Sequence, residues 1–152
     1  ELAGLTVGDL PVAGTVNAVI LPNRATSVAS GTIPLAAGEE KTLVSVYGQG
    51  IVTDVLLFSN HAEIQWRIFA DGEVVSRWGA HDYINALELY RYCGEATSIG
   101  VRLCKYDTSN NWYTLEITSP VHFRESFVIK AKNPLDTEQL ASVFRAQILR
   151  LV

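Results

Sequence analysis

Three histidines, His61, His81 and His122, are the residues whose type best suits acid–base chemistry in this chain. They lie far apart on predicted turns or strand ends, and no HExxH, GxSxG or catalytic Cys-His signature surrounds them. A general base must be oriented onto a nucleophile, and the sequence marks none. We therefore interpret the histidines as structural or surface residues, with His81 and Asp82 forming hydrogen bonds in a turn.

The carboxylates offer no better catalytic candidate. A glycosidase needs two carboxylates across one cleft, and the spacing of the acidic residues singles out no pair. The segment "DGE" at 71–73 lacks the alternating oxygen donors of a calcium loop, and "GQG" at 48–50 lacks the Lys-Ser/Thr of a phosphate loop. The sequence therefore predicts a protein that is not an enzyme, with no catalytic residues, no cofactor and no metal site.

Cys93 and Cys104 are the two cysteines of the chain. No histidine at ligand spacing accompanies them, which disfavours zinc. Two interpretations stay open. They are either a pair of small buried residues, the common environment of free cysteine, or a disulfide between neighbouring strands.

Length and charge narrow the class of protein. The 152 residues are the length of one domain. The net charge is −4 and the 12 Lys and Arg are scattered, so no nucleic-acid partner is expected, because binding a phosphate backbone requires clustered cations. No apolar run approaches the ~20 residues of a membrane span, so no membrane partner is expected either. Only 18% of the residues are charged, which fits a protein that covers part of its surface in an assembly.

The pattern along the chain predicts an all-β fold. Residues 1–30 are apolar and sparsely charged, and Pro11 and Pro22 exclude a long helix. We expect an extended N-terminal arm, with a short strand at Val16–Leu21, that adds to its own sheet or lies on a neighbour. Residues 31–152 carry many short alternating segments separated by turns, which favours an antiparallel β-sandwich of jelly-roll type. The predicted strands are Lys41–Tyr47, Ile51–Phe58, Glu63–Ala70, Glu73–Trp78, Tyr83–Tyr90, Ser98–Lys105, Trp112–Thr118, Ser126–Lys132 and Ser142–Leu151.

Two of these segments call for more detail. The run Ile51–Phe58 is nearly all apolar, which predicts burial on both faces. The segment Asp136–Phe144 is ambiguous, and we expect a turn or a single helical turn before the last strand.

The segment "EIQWRIFADGEVVSRWG", residues 63–79, predicts a hairpin. Asp71-Gly72 between two alternating runs suits a type I′ turn. The register then pairs Ala70–Glu73, Phe69–Val74, Ile68–Val75, Arg67–Ser76 and Trp66–Arg77. Alternation assigns one face to the core, with Ile64, Trp66, Ile68, Ala70 and Val75.

The other face of this hairpin carries more apolar side chains than a solvent face needs. Three explanations stay open for this face. A loop or the N-terminal segment covers it, a partner subunit or the capsid covers it, or its aromatic residues stack on a sugar. Aromatic residues and Arg are enriched at interface centres. The candidate partner-interface residues are Arg67, Phe69, Val74 and Trp78 in the hairpin, and Val16, Val19 and Leu21 in the arm. A second sugar-platform candidate is the set of aromatic residues Tyr83, Tyr90, Tyr92, Tyr106, Trp112 and Tyr113.

The order of three segments resembles small β-sandwich virion proteins of tailed bacteriophages. The segments are "AAGEEKTLVSVYGQGIVTDVLLFSN", "IQWRIFADGEVV" and "NWYTLEITSPVHFRESFVIKAKNP". The shared features are a Gly-x-Gly turn before an apolar strand, a DG hairpin, and a P-x-x-F-x-x-S-x-x-I strand that ends at Asn. In this chain the last feature comprises Pro120, Phe123, Ser126, Ile129 and Asn133.

This resemblance covers residues 37–134 and implies a non-enzymatic virion protein. A small chain with an apolar arm and no fibre repeats favours a head decoration (cement) protein. Its partners would be the major capsid protein and further copies of itself, with a trimer common among such proteins. It would be assembled in the host cytoplasm and lie on the capsid surface. The alternative is a carbohydrate-binding or receptor-binding β-sandwich module of a tail or fibre.

Overall fold

This computed structural model describes residues 23–77, 81–92 and 100–151, and two antiparallel β-sheets contain most of these described residues. The larger sheet has the order β1 (Asn23–Val28), β11 (Gln139–Leu151), β4 (Gly50–Ser59), β8 (Trp112–Ile117) and β7 (Val101–Asp107). In the same sheet, β2 (Gly31–Leu35) also pairs with β11, and β9 (Val121–Phe123) also pairs with β4. The smaller sheet has the order β3 (Glu40–Tyr47), β10 (Ser126–Lys132), β5 (Gln65–Ala70) and β6 (Glu73–Val74).

A single hydrophobic core lies between the two sheets, and both contribute to it. Successive side chains of a strand point to opposite faces, so alternate residues of strands such as β5, β8 and β10 enter this core. The largest fully buried side chains include Trp66, Ile68, Phe127 and Ile129 from the smaller sheet and Leu57, Leu115 and Ile148 from the larger one. The predicted all-β fold is confirmed, and so is the predicted burial of Ile64, Trp66, Ile68 and Ala70.

The predicted strand Tyr83–Tyr90 is wrong, because this segment contains the helix α1 (Ala86–Arg91). Asn85 begins the helix, and its side-chain oxygen accepts a hydrogen bond from the Glu88 N–H at 2.8 Å, which is the usual N-cap arrangement. Ala86 and Leu89 are buried on one side. The helix is too short for its 3.6-residue period to be recognised in the sequence.

The hairpin turn has the predicted type. Asp71 and Gly72 have φ angles of 54° and 82°, as a type I′ turn requires. The register Ala70–Glu73 and Phe69–Val74 is confirmed.

Farther from this turn, the predicted pairs Arg67–Ser76 and Trp66–Arg77 are wrong. The Ser76 hydroxyl is buried and accepts the Ile68 N–H at 2.9 Å, so a side chain takes the place of a ladder carbonyl. Trp66 instead exchanges backbone hydrogen bonds with Ile84, at 2.8 and 3.0 Å. The second strand of the hairpin is therefore only two residues long.

Other segments agree with the sequence pattern to different degrees. The strand Ser126–Lys132 has the predicted limits. The last strand begins at Gln139, three residues before the predicted Ser142, so the expected turn is confined to the bend before Gln139 and most of the segment Asp136–Phe144 is strand. The apolar strand β4 is buried on its inner face and only partly covered on its outer face, whereas we expected burial on both.

Asn133 is buried and ties the end of β10 to the β2–β3 connection. Its amide nitrogen donates to the carbonyl oxygens of Leu35 at 3.0 Å, Ala36 at 3.2 Å and Thr137 at 2.7 Å. Its side-chain oxygen accepts the Leu135 N–H at 3.0 Å. One polar side chain thus satisfies four backbone groups of the loops at this end of the domain.

Candidate functional site

Three of the predicted interface residues come together on the outer face of the smaller sheet. Arg67 and Phe69 lie on β5, and Phe69 pairs with Val74 on β6. On its other side Phe69 pairs with Val128 of β10, which the sequence analysis did not single out. All three apolar side chains are partly exposed, so they form an apolar row across three strands. The other predicted interface residues, Trp78, Val16, Val19 and Leu21, lie outside the described residues.

Cations border this row. The Arg67 guanidinium carbon lies 5.6 Å and the Lys130 ammonium 5.2 Å from the centre of the Phe69 ring, within the range of cation–π contacts. Arg67 also forms a salt bridge of 3.0 Å with Glu40, which neutralises its charge. We call Arg67, Phe69, Val74, Val128 and Lys130 the Phe69 patch. Its aromatic, aliphatic and basic composition suits binding rather than bond chemistry.

A second apolar surface lies on the outer face of the larger sheet. Phe58 of β4 lies between Trp112 of β8 and Phe144 of β11. The ring centres are 4.7 Å apart for Phe58–Trp112, 5.3 Å for Phe58–Phe144 and 6.1 Å for Trp112–Phe144. Trp112 and Phe144 are 40% and 39% exposed, whereas Ser142 and Thr114, which pair with Phe58, are buried. We call these three aromatic residues the aromatic triad.

Sequence patterns identified only one member of this triad. Trp112 belonged to the predicted sugar-platform set, but Phe58 was assigned to a buried strand and Phe144 to an ambiguous segment. Phe144 lies where the register of β11 on β4 shifts, and a bulge of this kind redirects side chains. The other aromatic residues of that set lie elsewhere; for example, Tyr106 stacks on Tyr90 at 4.1 Å and meets the buried Tyr113 edge-on at 5.0 Å.

A charged cluster lies farther along the same outer face. Arg145 contacts Asp54 at 2.5 Å, and Arg102 contacts Glu116 at 2.5 Å. Burial, and then the neighbouring Glu116 carboxyl, raise the pKa of Asp54, whereas the Arg102 hydrogen bond lowers the pKa of Glu116.

This carboxyl pair does not have the geometry of a glycosidase. A retaining enzyme holds its two carboxyl groups about 5 Å apart and an inverting one farther, across a cleft that admits the sugar. Asp54 and Glu116 lie on the neighbouring strands β4 and β8 on an outer sheet face, not across a cleft, and each already binds an arginine. The cluster therefore neutralises its own charges.

Cys104 is a free thiol on this face of the edge strand β7. The interpretation of both cysteines as buried residues is wrong for Cys104, whose side chain is exposed. The register of β7 on β8 shifts between Leu103 and Lys105, which changes the face of the sheet toward which the side chains of this part of β7 point. Cys93 lies outside the described residues.

A polar pocket of about 250 Å³ lies beside α1, and His81, Tyr83 and Glu88 line it together with Gln65 and Arg91. The His81 Nε2 is 3.6 Å from Glu88, and its ring stacks on Tyr83 at 4.8 Å. Burial raises the pKa of Tyr83, and the charge of Glu88 adds to this effect. A raised pKa keeps the Tyr83 phenol protonated at neutral pH, so this group is not activated as a nucleophile.

The three histidines do not come together. The His61 ring nitrogen accepts the Glu63 N–H at 3.2 Å, and His122 is an exposed residue of β9. Among residues 23–77, 81–92 and 100–151, no cluster of three or more His, Cys, Asp or Glu side chains is arranged to hold a metal ion. Within the same ranges, no helix has the length and apolar character needed to cross a membrane.

The Phe69 patch and the aromatic triad, on opposite outer faces of the two sheets, are thus the main candidate sites among the described residues. The comparison with known proteins does not choose between them. No protein-family model matches the sequence, and no curated protein matches it.

Proposed function

We propose that this protein is a non-enzymatic structural protein of a virion, a decoration protein that binds and stabilises a phage head. The proposed fold is the jelly-roll type of sandwich, with an N-terminal arm in residues 1–30. The observation that carries the proposal is the apolar row Val128–Phe69–Val74, which is in register across three strands. A row of this kind on an outer face is the type of surface that subunits bury.

The charges around the row favour a protein partner. Glu40 neutralises Arg67, whereas no described carboxylate lies within salt-bridge distance of Lys130. A partner with an apolar ridge and an acidic group beside it would cover Phe69 and pair with Lys130. Apolar contact would then supply affinity, and the charge would set the orientation.

The attachment point of the arm supports the same function. Residues 23–28 form β1, an outer strand of the larger sheet that pairs with β11. The part of the arm that we assign to partner binding is therefore residues 1–22, which contain only two acidic and no basic side chains. A segment of this composition can pair with an exposed strand of a capsid protein through its main chain.

Both contacts together would explain strong binding to a shell. Each copy would contact its neighbours through the Phe69 patch and the capsid through the arm. Several weak contacts on one assembly raise the apparent affinity by about 10²–10⁴. No single tight interface is then required.

The test combines two variants with one control. Phe69→Asp places a charge in the row, and deletion of residues 1–22 removes the proposed capsid contact. Thr53→Asp, at an exposed position of the larger sheet, adds the same charge elsewhere. The readouts are oligomeric mass by light scattering, and occupancy on shells of the major capsid protein encoded in the same genome.

We expect Phe69→Asp to lower the oligomeric mass and the arm deletion to lower shell occupancy at least tenfold, while Thr53→Asp behaves as the parent protein. Circular dichroism and thermal melting verify that each variant is folded. If the folded parent protein is a monomer that does not bind shells, the proposal is wrong. It is also wrong if neither variant changes mass or occupancy.

A further inference from the structure

The aromatic triad is an exposed apolar surface that the proposed capsid role does not use. It lies on the outer face of the larger sheet, whereas the Phe69 patch lies on the outer face of the smaller one. If the smaller sheet faces the assembly, the triad faces away from it. The triad therefore calls for a ligand of its own.

The size of the exposed apolar surface limits what that ligand can be. Trp112 is 40%, Phe144 39% and the nearby Leu140 37% exposed. Because a large aromatic side chain buries about 150–250 Å² when fully covered, these side chains together expose on the order of 200–300 Å². An exposed apolar area of this size matches the face of a ligand of one to a few rings.

We infer that the aromatic triad is a binding platform for a neutral saccharide. The face of an aromatic ring carries partial negative charge, which attracts the polarised C–H groups on one face of a pyranose. Three rings with centres 4.7 to 6.1 Å apart form a hydrophobic surface about as wide as one such sugar ring.

The polar groups beside the platform fit hydroxyl groups rather than a charged ligand. The Lys105 ammonium lies 5.8 Å from the centre of the Trp112 ring, where it can donate to a sugar hydroxyl. Asp107 pairs with Trp112 in the ladder, so a negative charge balances that of Lys105. Two oxygens of Asp107 already accept hydrogen bonds from Ser109 and Asn110. A ligand with a strong net charge would gain little here.

The platform is organised before any ligand arrives. Its three members lie on adjacent strands, β11, β4 and β8, and the Phe58 and Phe144 rings stack within 8° of parallel. Binding therefore requires little ordering of side chains, which is one of the main costs of association.

The experiment titrates the isotope-labelled protein with neutral oligosaccharides of glucose, galactose, mannose, xylose and N-acetylglucosamine, followed by NMR. We expect at least one of them to shift the indole signal of Trp112 and the backbone amide signals around the triad, with a Kd on the order of 1 mM, as a few such contacts provide; the amide signals also report on the variants that lack the indole. Trp112→Ala and Phe144→Ala should each weaken binding about tenfold or more, whereas Trp112→Phe should retain part of it. Tyr47→Ala removes an aromatic side chain that is 71% exposed outside the triad, and should leave binding unchanged.

Two results would overturn the inference. One is that no saccharide in the panel shifts the Trp112 signal. The other is that binding persists undiminished in both alanine variants. If no saccharide binds and Trp112→Ala lowers shell occupancy, the triad is a protein contact instead. None of these results decides the capsid role, which the Phe69→Asp and arm-deletion variants test separately.

Discussion

The Asp71 carboxylate accepts the backbone N–H of Glu125 at 2.6 Å and so joins the β5–β6 turn to the β9–β10 loop. The N–H groups of Arg124 and Ser126 donate to the same carboxylate at 2.9 and 3.1 Å. Asp71 thus has two roles: its backbone forms the type I′ turn, and its side chain binds three consecutive amides. These hydrogen bonds lower its pKa from 3.8.

This arrangement predicts that Asp71→Asn lowers the melting temperature at neutral pH. Asn tolerates the positive φ angle, but it replaces a charged acceptor by a neutral one, and charge-assisted hydrogen bonds are stronger. Because the folded-state pKa is lowered, the contribution of Asp71 is fully present above the unfolded-state pKa near 3.8 and is lost as the pH falls through the folded-state value. The difference between parent and variant should therefore be constant at neutral pH and shrink in acid. Thermal melts across this pH range measure it.

The control for Asp71 is Glu73→Gln, which removes a neighbouring exposed charge. Its melting curve should follow the parent protein at every pH. Equal melting temperatures for Asp71→Asn and the parent protein at pH 7 would show that the amide contacts do not stabilise the fold.

The buried amide of Asn133 predicts a large penalty for an isosteric change. Asn133→Asp removes the donor to three carbonyl oxygens and places a carboxylate against them. Because each unsatisfied buried polar group costs about 1–3 kcal/mol, we expect the free energy of unfolding at pH 7 to fall by about 3 kcal/mol or more. Urea denaturation measures the change. The loss should be smaller at acidic pH, where the neutral acid can donate one hydrogen bond.

Asn111→Asp is the matched control for this substitution. Asn111 is exposed and has a φ angle of 52°, which Asp tolerates. Asn111→Asp should change the free energy of unfolding by no more than about 0.5 kcal/mol, as most surface substitutions do. Similar losses for the two Asn→Asp variants would contradict the role assigned to Asn133.

The carboxyl pair on the larger sheet predicts opposite effects for its two members. The pKa of Asp54 is raised, so its stabilising contribution is complete below the unfolded-state pKa and is lost as the pH rises through the folded-state value. At pH 7, Asp54→Asn should therefore raise the free energy of unfolding by up to about 1 kcal/mol, because the amide can donate to Glu116. Loss of the ion pair with Arg145, which is 44% exposed, offsets little of this gain.

Glu116→Gln should instead lower the free energy of unfolding, since the Arg102 hydrogen bond lowers the pKa of Glu116. We expect the free energy of unfolding to fall by less than about 1 kcal/mol at pH 7, because Arg102 is largely exposed. Urea denaturation of both variants, at pH 7 and in acid, compares them. Destabilisation by Asp54→Asn at pH 7 would disprove the assignment of the higher pKa to Asp54.

Features that depend on neighbours in the chain could be predicted from the sequence. The turn at Asp71-Gly72, the strand Ser126–Lys132 and the burial of Trp66 all follow from local residue types and alternation. The Phe69 patch could be predicted in part, because the hairpin register fixes Phe69 opposite Val74. Val128 joins that patch only through the pairing of β10 with β5, which no local pattern reveals.

The aromatic triad could not be predicted for the same physical reason. Phe58 and Phe144 are far apart in sequence and meet because β11 pairs with β4 and is bulged near Phe144. The helix at Ala86–Arg91 was missed because six residues cannot display a helical period. The Asp71 side-chain contacts were missed because a turn residue gives no sign of what its side chain meets.

The short strand β6 has a consequence for how copies of the chain can polymerise. On the β6 side of the smaller sheet, the main chain of β5 already has hydrogen-bond partners. Ala70 pairs with Glu73. The Ile68 N–H donates to the Ser76 hydroxyl, and the Ile68 carbonyl accepts the Val75 N–H. Trp66 exchanges backbone hydrogen bonds with Ile84. The main chain of β5 therefore offers no template there, while β3 at the other edge pairs only with β10 among the described strands. Among the described strands, a further strand can therefore join the smaller sheet beside β3 but not beside β5, so two copies that pair through this sheet would join their β3 edges.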